Sequence, residues 1–129
     1  MTVVMFQQAV LTLALPASEQ SRVFPSFCDI TFELIDDFDN AIITEEFKGY
    51  EAKVDGARRA TLEALKEAVE KLDDEDWDYY PDTIEETLAR QNWLDIRQRA
   101  SEVLTAFEIP LVNVPRCVEV GRGWVRNWD

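Results

Sequence analysis

The feature that most constrains this chain is a long helical rhythm through its middle. Phe47, Tyr50, Val54, Ala57, Leu62, Leu65, Val69 and Leu72 recur at a spacing of about 3.6 residues, with Thr61 the one polar member of the track. The spacing predicts a helix over 44–72, carried most strongly by 57–72, ARRATLEALKEAVEKL. Gly56 falls inside it, and a mid-helix glycine costs about 1 kcal/mol against alanine.

Two further helical patterns flank it. Phe24, Phe27, Thr31, Leu34, Ile35 and Phe38 predict a helix beginning near Pro25 and Ser26, with Ser26 as its cap. Asp29, Glu33, Asp36 and Asp37 occupy its opposite face. After Pro81, both Asp82 with Glu85 and Thr83 with Glu86 fit a capping box. The apolar face then changes phase near Asn92. Ile84 and Leu88 point one way, whereas Trp93, Ile96, Ala100, Val103, Leu104 and Phe107 follow another track. Asn92 is a candidate second cap, with Asp95 at its third position.

The two ends read as β. Residues 9–15 are expected to form a strand stopped by Pro16. The tail, CVEV–GRG–WVRN, reads as a hairpin around Gly121 and Gly123. The expected fold class is α+β: a helix-rich single domain over 1–129, with a small antiparallel sheet formed by the N- and C-terminal segments.

Charge decides which chemistries are open. There are 26 Asp and Glu against 13 Lys and Arg, a formal net charge of −13, and no histidine. Imidazole-based acid/base catalysis, His triads and His metal ligands are thereby excluded. An acidic surface repels phosphate backbones and anionic lipid, so no direct nucleic-acid or membrane partner is expected. Cys28 and Cys117 are too few for a disulfide framework or a zinc knuckle; two buried thiols are expected, with one disulfide as the alternative. The apolar residues 3–15 lack the basic flank of a signal peptide and are too short to span a bilayer. A cytoplasmic location is expected.

The charge is unevenly placed. No basic residue lies between Arg22 and Lys48, a stretch holding seven acids: Asp29, Glu33, Asp36, Asp37, Asp39, Glu45 and Glu46. None lies between Lys71 and Arg90, a stretch holding eight: Asp73, Asp74, Glu75, Asp76, Asp78, Asp82, Glu85 and Glu86. The remainder is close to neutral. Like charges this dense destabilise a fold unless solvent or a cation relieves them. Carboxylates without imidazole or paired thiols suit a hard ion, and Ca2+ takes roughly 6–8 oxygens in flexible geometry.

The candidate ligands are Asp36, Asp37 and Asp39 in the first segment, and Asp74, Asp76, Asp78, Asp82 and Glu85 in the second. The first group, with Asn40, is expected at a helix C-terminus, where free carbonyl oxygens would join the carboxylates. In the second, Asp74 to Glu85 matches EF-hand loop positions 1, 3, 5, 9 and 12, with the Tyr80 carbonyl at 7. Tyr79 at the glycine position and Pro81 at position 8 argue against a standard EF-hand.

The size, the acidity, the absence of histidine and the segments SFCDITFELIDDFDNAI and LDDEDWDYYPD resemble the cyanobacterial calcium-binding proteins of the CcbP type. These are compact α/β calcium binders without EF-hands. The resemblance implies calcium buffering or sequestration and a part in calcium signalling. No binding residue is carried over from it.

The expected function is therefore non-enzymatic Ca2+ binding through clustered Asp and Glu. The alternative is an acidic inhibitor, a DNA mimic or nuclease immunity protein, that blocks a basic surface of a partner protein. Convergent oxygens favour the first; charges spread along a face favour the second. A glycosidase-like carboxylate pair is the enzymatic option, but no single acid stands out for it. Arg116, Arg122 and Arg126 with Trp124 and Trp128 form the one basic-aromatic patch, expected to join the sheet to the helices.

Overall fold

The computed structural model describes residues 4–24, 28–73, 83–110, 116–120 and 123–127, with only the backbone at Asp73 and in the last two segments. The described residues open with a helix. α1 is Val4–Ala14, followed by α2, Ala17–Gln20. α3 is Ile30–Ile42, α4 is Glu45–Glu51 and α5 is Gly56–Asp73. α6 is Ile84–Leu88 and α7 is Gln91–Ala106.

The helical body makes the fold all-α, and the expected α+β class is overturned. Residues 9–15 belong to α1 and its C-terminal turn, not to a strand, so no sheet joins the two ends. An apolar run without alternation is ambiguous between buried strand and buried helix, and length decides in favour of helix here. Phe6, Ala9, Val10, Leu11, Thr12 and Leu13 are all buried, which marks a helix enclosed on most sides. Farther on, the backbone at Arg116–Val120 (β1) and Gly123–Asn127 (β2) forms an antiparallel ladder with Val118 opposite Val125. That pair makes a sheet of its own and takes no strand from the N-terminal segment.

Helix boundaries follow local chemistry. Asp29 caps α3 by accepting from the Phe32 amide at 3.2 Å and from the Thr31 hydroxyl at 2.8 Å. The helix thus starts later than Ser26, which lies outside the described residues. The expected helix over 44–72 divides in two. Thr44 caps α4 through the Phe47 amide, and α5 opens at Gly56, whose φ is +58°. That left-handed value favours glycine over any residue with a Cβ. Arg59 bridges the break, donating to the carbonyls of Glu51 at 2.6 Å and Val54 at 3.2 Å. Lys66 and Glu51 form an ion pair across the same junction.

Thr83 caps α6 through the Glu86 amide at 3.1 Å, as one of the two capping boxes requires; Asp82 lies outside the described residues. The phase change near Asn92 is a real break, but Arg90 occupies the N-cap of α7 and Asn92 lies inside the helix. α7 ends in a Schellman motif. Ile109 N–H donates to Leu104 C=O and Glu108 N–H to Thr105 C=O, while Glu108 sits at φ +55°.

The core lies where α1 meets α3 and α7, and where α7 meets α5. Phe6 stacks on Phe47 at 4.6 Å and approaches Phe107 at 5.8 Å, joining α1, α4 and the end of α7. Trp93, Ile96, Ala100, Val103, Leu104 and Phe107 are buried, as their spacing predicts. Among the described residues, no helix is long and apolar enough to cross a membrane.

Candidate functional site

α3 carries the acidic residues that the structure describes best. Its buried face is Ile30, Thr31, Leu34, Ile35, Phe38 and Ala41. At about 100° per residue, Asp29, Glu33, Asp36, Asp37 and Asn40 then form a stripe along one flank and the outer side. Helical geometry separates the three expected ligands of this segment. Asp37 and Asp39 are two positions apart and project about 160° from each other. Asp36, Asp37 and Asp39 therefore cannot all serve one ion. α3 also continues to Ile42, so these acids lie within the helix rather than beside free terminal carbonyls.

One shallow cleft brings part of the stripe against another helix. It measures about 100 Å³ and is lined by Met5, Gln8 and Ala9 of α1 and by Asp37 and Asn40 of α3. Its polar lining is one carboxylate and two side-chain amides, with no basic residue. Asn40 Nδ2 also donates to Asp36 Oδ2 at 3.2 Å, which ties Asp36 to the rim. All three polar lining groups offer hard oxygen donors.

The second acidic segment is described only at its margin. Asp74, Asp76, Asp78 and Asp82 lie outside the described residues, together with the rest of the EF-hand comparison up to position 9. Glu85 is exposed in the first turn of α6, where a carboxylate complements the helix dipole. α6 contacts α3, so the two acidic segments lead into neighbouring helices. Among the described residues, no group of three or more Asp, Glu or Cys side chains is placed to hold a metal ion.

Cys28 is half-buried. The side chain of Cys117 lies outside the description, as do those of Arg116, Arg122, Trp124, Arg126 and Trp128.

The sequence reading missed two features. Gln8 was an interruption in an apolar run; in a helix it becomes the α1 side of the cleft. Gln20 is fully buried and sits at the centre of a polar hub. Its Nε2 donates to the Thr12 and Leu13 carbonyls, both at 3.1 Å, and its Oε1 accepts from Arg97 Nη2 at 2.8 Å. Arg97 also donates to the Leu88 carbonyl at 2.9 Å. Burial lowers the Arg97 pKa from its ordinary value. The available clue was position: Arg97 lies one turn after Trp93 on the buried flank of α7.

The chain matches no protein-family model, and neither the comparison with curated proteins nor that with solved structures yields a match.

Proposed function

We propose that this is a non-enzymatic calcium-binding protein that buffers or sequesters Ca2+ through its acidic segments, in the cytoplasm. The observation that carries the reading is the α1–α3 cleft, which Asp37, Asn40 and Gln8 line together. Asp37 would supply the charge and the two amides neutral carbonyl oxygens. Three side-chain donors fall short of the roughly 6–8 oxygens Ca2+ prefers. Water and the carboxylates of the second segment are the remaining donors on this reading.

Calorimetric titration of the metal-stripped protein with Ca2+ and then Mg2+, at about 0.15 M salt, tests it; diffuse surface charge is largely screened there. The expected result is saturable Ca2+ binding with weak Mg2+ binding, reduced by Asp37→Asn and by the pair Asp76→Asn and Asp78→Asn. Equal, weak responses to both ions would remove calcium from the account. If only the 76/78 pair reduces affinity, the cleft is not part of the site.

The second reading, an acidic inhibitor of a basic partner, is favoured by the stripe on α3. The described acids there run along a face rather than converging.

A further inference from the structure

The chain leaves the helical body at a fixed place. Arg58, in the first turn of α5, donates through Nε to the Ala106 carbonyl at 3.2 Å, and its guanidinium lies 5.7 Å from the centre of the Phe107 ring. Both contacts hold the end of α7 against the start of α5. The Schellman motif then turns the chain, and Ile109 is buried against the body rather than released. Beside this exit an open groove of about 390 Å³ runs between α5 and α7. Thr61 lines its α5 side, and Gln98, Ser101, Glu102, Thr105 and Ala106 line the other. Ser101 and Thr105 are exposed, and the one full charge in the lining, Glu102, already meets Arg99 at 3.4 Å. Ala106 belongs to both groove and exit.

We propose that residues 111–129 fold back along this groove and cover it as an intramolecular strap. This goes beyond the function proposed above and does not depend on calcium. The segment, LVNVPRCVEVGRGWVRNWD, holds Leu111, five valines and two tryptophans. Its described backbone is a two-stranded ladder that takes no third strand, and a lone pair of that size is marginal in water. So apolar a segment needs a surface to lie on. Reach is sufficient. Residues 111–115 span up to about 17 Å when extended, whereas the groove from Ala106 back to Gln98 covers eight helical positions, about 12 Å. Charge points the same way. The segment carries Arg116, Arg122 and Arg126 against Glu119 and Asp129, while the whole chain stands at −13, so the body holds the negative charge. A groove this open encloses too little of a small molecule and suits a length of chain.

The test uses the full chain in EDTA-containing buffer, so that its failure is separate from any failure of calcium binding. Backbone and methyl groups are isotope-labelled and read by NMR. Contacts are expected between protons of residues 111–129 and the methyl groups of Thr61, Thr105 and Ala106. A sample mixing labelled with unlabelled molecules tells contacts within one chain from contacts between two, and sedimentation gives the oligomeric state.

Backbone order parameters at Val118 and Val125 are expected at about 0.85 in the wild type, the value of a rigid element. They should fall below about 0.6 with Ser101→Arg plus Thr105→Arg, which crowd the groove from exposed positions. The pair Glu67→Gln plus Glu70→Gln changes the net charge equally, projects away from Thr61 on α5, and should leave the order parameters unchanged. The contact map of the wild type keeps the test independent of the variants' folding. Three results would overturn the proposal: no contact between the segment and the groove, the same response of the segment to both variant pairs, or contacts that arise only between the two molecules of an exchanged dimer.

Discussion

Gln20 and Arg97 are joined at 2.8 Å across 77 positions of sequence, and through them two helix ends are tied to α7. Gln20 serves the carbonyls at the end of α1, and Arg97 serves the Leu88 carbonyl at the end of α6. Such carbonyls lack partners within their own helices and carry partial negative charge. Even a part-buried cation is costly unless its donors are matched. Here Nη2 meets two neutral oxygens while Nε has no hydrogen-bond partner, and partial burial lowers the Arg97 pKa. The sign follows from that direction. The cost of burying the charge is present throughout the ordinary pH range, and would ease only as pH rose through the folded-state pKa. Arg97 therefore adds no pH dependence to stability near neutrality.

Gln20→Leu should lower stability by about 1–3 kcal/mol, because the part-buried Arg97 loses one of its acceptors and the Leu13 carbonyl loses its Gln20 donor. The double variant Gln20→Leu with Arg97→Met should lose less than Gln20→Leu alone, since the charge that lost an acceptor is gone. Urea unfolding measures both. A double variant that is merely additive would mean the two side chains act independently.

Glu108 occupies the left-handed position that closes α7, a place where glycine is the usual residue. It gains an ion pair with Arg58 at 3.5 Å, but the Glu108 side chain is 84% exposed, so that pair contributes little. Backbone strain outweighs it. Glu108→Gly should raise stability by about 0.5–1 kcal/mol. A drop in the unfolding midpoint would show that the Arg58 pair matters more than the strain.

Gly56 is the converse case. Its φ is +58°, and an added Cβ would have nothing within 4 Å. Space is available, so any penalty is conformational. Gly56→Ala should cost about 1 kcal/mol in denaturant unfolding. An unchanged midpoint would mean that the α4–α5 junction relaxes to a right-handed turn.

These positions show how far the sequence could be read. The faces of α5 and α7 were legible because apolar residues recur at helical spacing, and burial follows that spacing from Leu62 onward in α5, whereas Ala57 in its first turn is exposed. The break at Gly56 was signalled, but its place depended on Arg59 holding the Glu51 and Val54 carbonyls, a contact no pattern reveals. α1 was misread because AVLTLAL is apolar at nearly every position, and an element buried on most sides shows no periodicity. The acids were visible as a segment, yet their directions were not. Only once α3 runs through Ile42 does it follow that Asp37 and Asp39 diverge. The Gln20–Arg97 contact was invisible because it joins polar residues far apart in sequence.

The acidic stripe on α3 leads to a last expectation. Glu33, Asp36 and Asp37 lie within one turn of each other, with no basic residue on their helix. Their mutual repulsion is exposed to solvent in part, so salt should reach it. From about 0.01 M to 1 M salt, the screening length falls from roughly 30 Å to 3 Å. Metal-free protein should therefore become more stable as NaCl rises over that range. The pair Asp36→Asn and Asp37→Asn should raise stability at low salt and flatten the salt dependence. Part of that gain is offset by weakening of the Asn40–Asp36 hydrogen bond. Thermal melting in EDTA at several NaCl concentrations measures both effects. If the wild-type midpoint does not move with salt, crowding of these carboxylates is not an energetic burden on the fold, and a cation would have little repulsion to relieve there.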